Sequence, residues 1–161
     1  MEAFGYKDDL TESPISTQNS LQLIAFSIGE QTYGVEITTV REIRAWNGAT
    51  PLPNTRDYVR GVINLRGTIV PIFDLRARFG EGQTSPTKNH VVVVMSVGEK
   101  WVGMLVDAVS DILTIDKNEI HAVPDGNSND TELLNGIVTH DSKMVGLIDL
   151  HAVVHGAKLD A

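Results

Sequence analysis

The sequence predicts a mainly β protein made of two copies of one small five-stranded unit, and three observations predict it. Valine and isoleucine together supply 31 of the 161 residues, and β-branched side chains favour strands. The apolar stretches are short and punctuated by glycine-containing turns, and no long amphipathic helix is present. Finally, the sequence repeats itself. Shifted by 69 residues, SIGEQTYGVEITTVREI (27–43) falls on SVGEKWVGMLVDAVSDI (96–112) without a gap, so that Gly29 meets Gly98, Val40 meets Val109 and Ile43 meets Ile112. Further on the shift becomes 75, and GVINLRGTIVPIFDL (61–75) falls on GIVTHDSKMVGLIDL (136–150), with Gly61 on Gly136 and Asp74 on Asp149. The extra residues belong to the connector of the second copy, where Asp125 to Asp130 reads as a polar loop.

Residues 1–19 are polar, acidic and without period, and read as a disordered N-terminal tail. The folded domain is expected over 20–155, with a C-terminal tail at 156–161. Leu21, Leu23, Ala25 and Phe26 begin a strand, Gly29-Glu30 turns the chain, and Thr32 to Ile37 continues extended. A short helical turn and a connector lead to a hairpin whose tip is Leu65-Arg66-Gly67-Thr68. Asp74 then caps a short helix, LRARF, by accepting from free amide hydrogens. The second copy runs in parallel: His90 to Val97, turn Gly98-Glu99, Trp101 to Val106, a hairpin tip at Asp141-Ser142-Lys143, and Asp149 capping LHAVV. Val91-Val92-Val93-Val94 is β-branched on both faces, which suits a strand buried on each side. About five short strands per copy favour closure into a small barrel over open edges. The repeat offsets are too short for independent domains with a linker, so the two barrels pack together.

Composition excludes several function classes. At 42% hydrophobic and 21% charged residues the chain has the make-up of a soluble domain. A net charge of −8 opposes a nucleic-acid partner. Cysteine is absent, which removes disulfides, thiolate metal sites and a thiol nucleophile. No apolar run approaches the ~20 residues of a membrane span, and MEAFGYKDDL carries no secretory h-region, so a cytoplasmic protein without direct membrane insertion is expected. No nucleophile elbow, phosphate loop, dinucleotide fingerprint or H-E-x-x-H motif occurs. Among the histidines only His151 and His155 share helical spacing, and no carboxylate stands at a third ligand spacing. Asp107 follows a strand where the first copy has Thr38, and turn or cap geometry accounts for it. No catalytic residue, metal or cofactor is expected.

Binding remains, and charge helps to locate it. All seven arginines lie between positions 41 and 78, a segment of charge +4 flanked by segments of −5 and −7. Arginine's planar fork suits carboxylates and protein interfaces. Positions where the two copies differ sharply point to specialisation: Arg66 stands opposite Asp141, Asn64 opposite Thr139 and Pro71 opposite Gly146. Arg66 sits at a hairpin tip and owes nothing to a core; Gly67 beside it is equally well explained by the turn.

These motifs also carry a resemblance. YGVEITTVREI (33–43), GVINLRGTIVPIFDLRARFG (61–80) and VGMLVDAVSDIL (102–113) resemble the CheW family of bacterial chemotaxis coupling proteins, from about Leu21 to Val154. The resemblance implies two SH3-like five-stranded β-barrels around a shared hydrophobic core, with short helices. It implies a non-catalytic scaffold that couples the cytoplasmic tips of chemoreceptors to the regulatory domain of the histidine kinase CheA, within receptor arrays at the membrane. Relatives with a receiver domain exist; this sequence ends at Ala161, and a stand-alone adaptor is expected. The alternative is an adaptor of the same kind in a pathway for motility or gene regulation. The family's receptor site, a groove between barrels that takes a helical hairpin, corresponds to Val40, Glu42, Gly61, Arg66, Val91 and Ile112. Val91 and Gly61 are equally readable as packing residues, and Glu42 with Arg66 as rim contacts or as a clasp holding the barrels in register. For kinase contacts the equivalent connectors are expected to serve, through Thr50, Leu52 and Pro53 in the first copy and His121 and Val123 in the second. Gly126 and Asn127 stand where family members often carry a bulky residue.

Overall fold

The computed structural model describes residues 19–124 and 132–155. The expected terminal tails, apart from Asn19, and the 125–130 loop with Gly126 and Asn127 lie outside these residues.

Each copy begins with a hairpin closed by a glycine in the left-handed region. β1 (Ser20–Ile28) turns at Gly29, φ 60°, into β2 (Gln31–Glu36), and β6 (Val91–Val97) turns at Gly98, φ 62°, into β7 (Lys100–Val106). Next come β3 (Val40–Ala45), reached through a 3-10 turn at Ile37–Thr39, and β8 (Ala108–Asp116). A second hairpin completes each copy: β4 (Val59–Leu65) with β5 (Thr68–Asp74), and β9 (Leu134–His140) with β10 (Lys143–Ile148). Short helices follow, α1 (Leu75–Arg78) and α2 (Leu150–Val154). Both are capped as expected, Asp74 accepting from Ala77 N and Asp149 from Ala152 N at 3.3 and 3.1 Å. The mainly β class, the two five-stranded units and the short helices are all present.

The pairing holds a feature that the repeat alone conceals. One sheet runs β9-β10-β2-β1-β8 and the other β3-β6-β7-β5-β4. Each sheet therefore takes its first hairpin from one copy and its remaining three strands from the other. The joins are equivalent: β1 pairs antiparallel with β8 as β6 does with β3, and β10 runs parallel to β2 as β5 does to β7. Bulges recur as well, between Val40 and Glu42 and between Val109 and Asp111. Toward closure, each sheet shows one bridge. The segment leaving β3 returns to β4 through Thr50 and Val62, with N–H···O distances of 2.8 and 2.9 Å. The segment leaving β8 returns to β9 through His121 and Ile137 at the same distances.

This exchange explains why β1 and β6 are apolar on both faces. From β1, Leu23 and Ala25 enter a cluster inside the first sheet with Leu113, Val138 and Val145, while Ile24, Phe26 and Ile28 point the other way. From β6, Val92 and Val94 pack with Leu65, Val70 and Leu105 inside the second sheet, while Val93 and Met95 face the opposite side. The two outward sets meet in one shared core with Tyr33, Phe73, Phe79, Met104 and Val153. Here the chain excludes water from both sheets at once, which is the main driving force for holding them together.

Candidate functional site

The expected site residues fall into three groups. The first lies where β3 and the β4–β5 hairpin, the two outer parts of one sheet, approach each other. Arg66 and Gly67 form a two-residue turn with φ of 52° and 90°, a geometry whose twist suits a hairpin. Arg66, 70% exposed, reaches across to Glu42, with Nη2 to Oε1 at 2.9 Å. Arg44 Nη1 approaches the other carboxylate oxygen of Glu42 at 3.4 Å. One half-buried acid is thus held between two arginines, which concentrates positive charge at the tip and fixes the acid's orientation. The clasp joins two edges of the same sheet rather than one barrel to the other. That corrects the register role considered for the pair, because β3, β4 and β5 all come from the first copy and lie in one sheet.

Val40, Val91 and Ile112 form the second group. Register fixes their faces: Val40 opposes Met95, Ala45 opposes Val91 and Ile112 opposes Ile24, so all three sit on the sheet faces that carry the shared core. Val40 and Val91 are partly buried against that core, and Ile112 is 53% exposed. Ile43, which opposes Val93, shares this face and is 43% exposed. The border of the shared core thus presents open isoleucines on both outer strands. Ile43 was missed as a candidate, although the 69-residue shift pairs it with Ile112 and so carried the signal.

Gly61 belongs to neither group. Its φ is 137°, and a Cβ there would lie 2.2 Å from the carbonyl oxygen of Thr50. Gly136 is equivalent, with Ile120 and the His121 carbonyl at 2.6 and 3.0 Å from such a Cβ. Both glycines exist so that the returning connector can bridge to the hairpin, which favours the packing reading of Gly61.

The connector residues form the third group. Thr50 and His121 make the two bridges and leave exposed side chains, Leu52 and Pro53 are exposed beyond the first, and Val123 is half-buried beyond the second. The bridges place Thr50 and His121 at equivalent positions on the two sheets.

Asp107 has more to do than end a strand. Its carboxylate accepts from Gly29 N at 2.6 Å and lies 3.6 Å from Arg76 Nη2 and 3.4 Å from His90 Nε2. Thr87 N donates to His90 Nδ1 at 3.0 Å, which leaves Nε2 to carry the proton toward Asp107. These bonds tie the first hairpin to α1 and to the entry of β6, beside a polar cleft of about 420 Å³. Every charged group of the cluster is spent on another. Among the described residues no group of three His, Asp or Glu side chains converges as metal ligands would, and no helix is long and apolar enough to cross a membrane.

Comparison with known proteins gives a consistent result. The model of the CheW-like domain matches residues 22–158. A protein of Rhizobium etli described as a probable chemotaxis protein CheW is 45% identical over 145 residues, covering 89% of this chain and 94% of the relative. The chemotaxis protein CheW of Rhizobium meliloti is 42% identical, with 90% and 94% covered. Among solved structures, the scaffolding protein TtCheW of Thermoanaerobacter tengcongensis superposes with a TM-score of 0.78 at 33% identity, over 91% of this chain and 93% of that one.

Proposed function

The chain belongs to the CheW-like domain family, among whose members are proteins described as chemotaxis protein CheW and a scaffolding protein, and from that premise we propose that it is a non-catalytic adaptor coupling chemoreceptors to the histidine kinase CheA. The receptor tip docks as a helical hairpin on the border of the shared core, and the kinase's regulatory domain meets the connector ends of the sheets.

One observation supports the receptor half of this reading above the others. Large apolar side chains, Ile43 and Ile112, stand open on the outer strands of both sheets, on faces continuous with the buried core through Val40 and Val91. An amphipathic helix places apolar anchors at such a border and leaves its charged flank to a polar rim. Glu42 with Arg44 and Arg66 supplies that rim beside β3. Thr50, Leu52 and Pro53 at one sheet, and His121 and Val123 at the other, give the kinase two equivalent contacts. In this reading the protein lies in the cytoplasm at the receptor arrays. Individually modest contacts suffice there, because each partner is held by several at once.

Two titrations test the proposal, one with the kinase's regulatory domain and one with a receptor tip fragment. Binding of both by the intact chain is expected. Ile112→Lys and Ile43→Lys are expected to abolish the receptor arm, to keep the kinase arm, and to leave thermal stability close to that of the parent. Absence of binding to both partners at tens of micromolar overturns the role. Unchanged receptor binding by both lysine variants overturns the placement of the receptor at the core border.

A further inference from the structure

We propose that Asn47 is a site of spontaneous modification, where the side-chain amide is lost through attack by the backbone nitrogen of Gly48. The sequence holds two Asn-Gly pairs, Asn47-Gly48 and Asn135-Gly136, and the fold treats them in opposite ways. Asn47 and Gly48 are both exposed in the segment that leaves β3. Gly48 has φ 87°, and a Cβ built on it meets nothing within 4 Å, so the space beside its α-carbon is open. The neighbouring backbone bonds are made by Trp46 N to His90 O and by Thr50 with Val62, and they pass over the Asn47–Gly48 peptide. By contrast, Asn135 lies in β9, where Gly136 is buried, pairs with Leu147, and is packed against Ile120 and the His121 carbonyl.

The chemistry needs only the chain and water. Gly48 N, on losing its proton, bonds to the side-chain carbonyl carbon of Asn47. The bond from that carbon to Nδ2 breaks, and the nitrogen leaves as ammonia. Water then opens the five-membered imide at either carbonyl, which gives aspartate or its isomer linked through the side chain. The product carboxylate stands in a cleft of about 240 Å³ that Arg44 also lines, and Arg44 already approaches Glu42 at 3.4 Å. It therefore gives Arg44 a second acid to pair with, just upstream of Thr50.

The test is incubation of the folded chain at mildly alkaline pH, followed by peptide mapping and ion-exchange separation. A parallel sample is kept in denaturant. In the folded protein Asn47 is expected to convert at least about tenfold faster than Asn135, and in denaturant the two rates are expected to agree within about twofold, because folding protects only the paired peptide. Asn47→Ser is expected to remove the main acidic species, whereas Asn135→Ser keeps it. Equal rates in the folded protein overturn the proposal. So does an unmodified Asn47 over a period in which the denatured chain converts.

Discussion

Arg66 and Gly61 lie close together in the sequence, yet their substitutions are expected to fail in different ways. Arg66 is mostly exposed, and its bond to Glu42 is a surface pair, so Arg66→Ala is expected to cost only about 0.2–1 kcal/mol in a denaturation midpoint. Under the proposed function, its effect is expected in receptor-dependent kinase activity. Whether the guanidinium meets the receptor itself or only aims Glu42 is decided by a charge swap. If Arg66→Glu lowers coupling and the double variant Glu42→Arg/Arg66→Glu restores it, the pair positions the rim. Continued loss in the double variant assigns a direct contact to Arg66. Gly61→Ala, in contrast, drives a methyl group into the Thr50 carbonyl at a φ that alanine avoids, and is expected to cost at least about 2 kcal/mol. Gly136→Ala, at a φ alanine adopts, presses on Ile120 Cγ2 and approaches the His121 carbonyl, and is expected to cost less, about 1–2 kcal/mol. A urea titration of the two alanine variants measures the difference, and equal losses contradict the close approach at Gly61.

At the scale of elements, the two helix caps share a sequence position but not a workload. Asp149 accepts one bond, from Ala152 N, and is only partly buried. Asp74 is fully buried and accepts from Ala77 N, from Thr84 N and from Thr84 Oγ1, with Arg60 Nε 3.4 Å away. Arg60 Nε and Nη2 are themselves buried and make no hydrogen bond, so the Asp74 charge is their compensation. Asp149→Ala is therefore expected to cost about 1 kcal/mol, as a lost cap does. Asp74→Ala removes the partner of a largely buried guanidinium together with the cap, and is expected to cost about 3–5 kcal/mol. Thermal denaturation of both variants checks the ranking, and comparable losses contradict it. The caps, the hairpin turns and the two-faced strand at Val91–Val94 were legible in the sequence because each depends on near neighbours. The Arg60 and Thr84 contacts of Asp74 were not, because they come from outside the repeat's matched positions. Asp107 shows the same limit: three of its contacts reach elements remote in sequence, and only the fold brings them together.

For the whole molecule, a repeat reveals that two units exist but not which strands complete which sheet. Pairing β1 with β8 instead of β3 leaves every residue match unchanged, because β3 and β8 are equivalent. The groove residues depended on this choice. Val40 and Val91 share one sheet and Ile112 belongs to the other, and the family resemblance supplied that grouping, not the spacing. The exchange has a consequence for folding. A half-chain ending near Gly82 contains β1 to β5, but the sheet of β1 and β2 needs β8, β9 and β10, and the sheet of β3, β4 and β5 needs β6 and β7. Each half also supplies only part of the shared core, so its apolar faces have no cover and its edges no partner. Neither half is expected to show a cooperative unfolding transition alone, whereas an equimolar mixture is expected to recover the strand signal and a single transition. Circular dichroism of the halves and of their mixture measures this, with sedimentation to detect self-pairing, since two copies of one half satisfy the same exchange rule. A half that is monomeric and cooperatively folded would show that its strands close on themselves, and that the exchange between repeats is a convenience of the intact chain and not a condition of its stability.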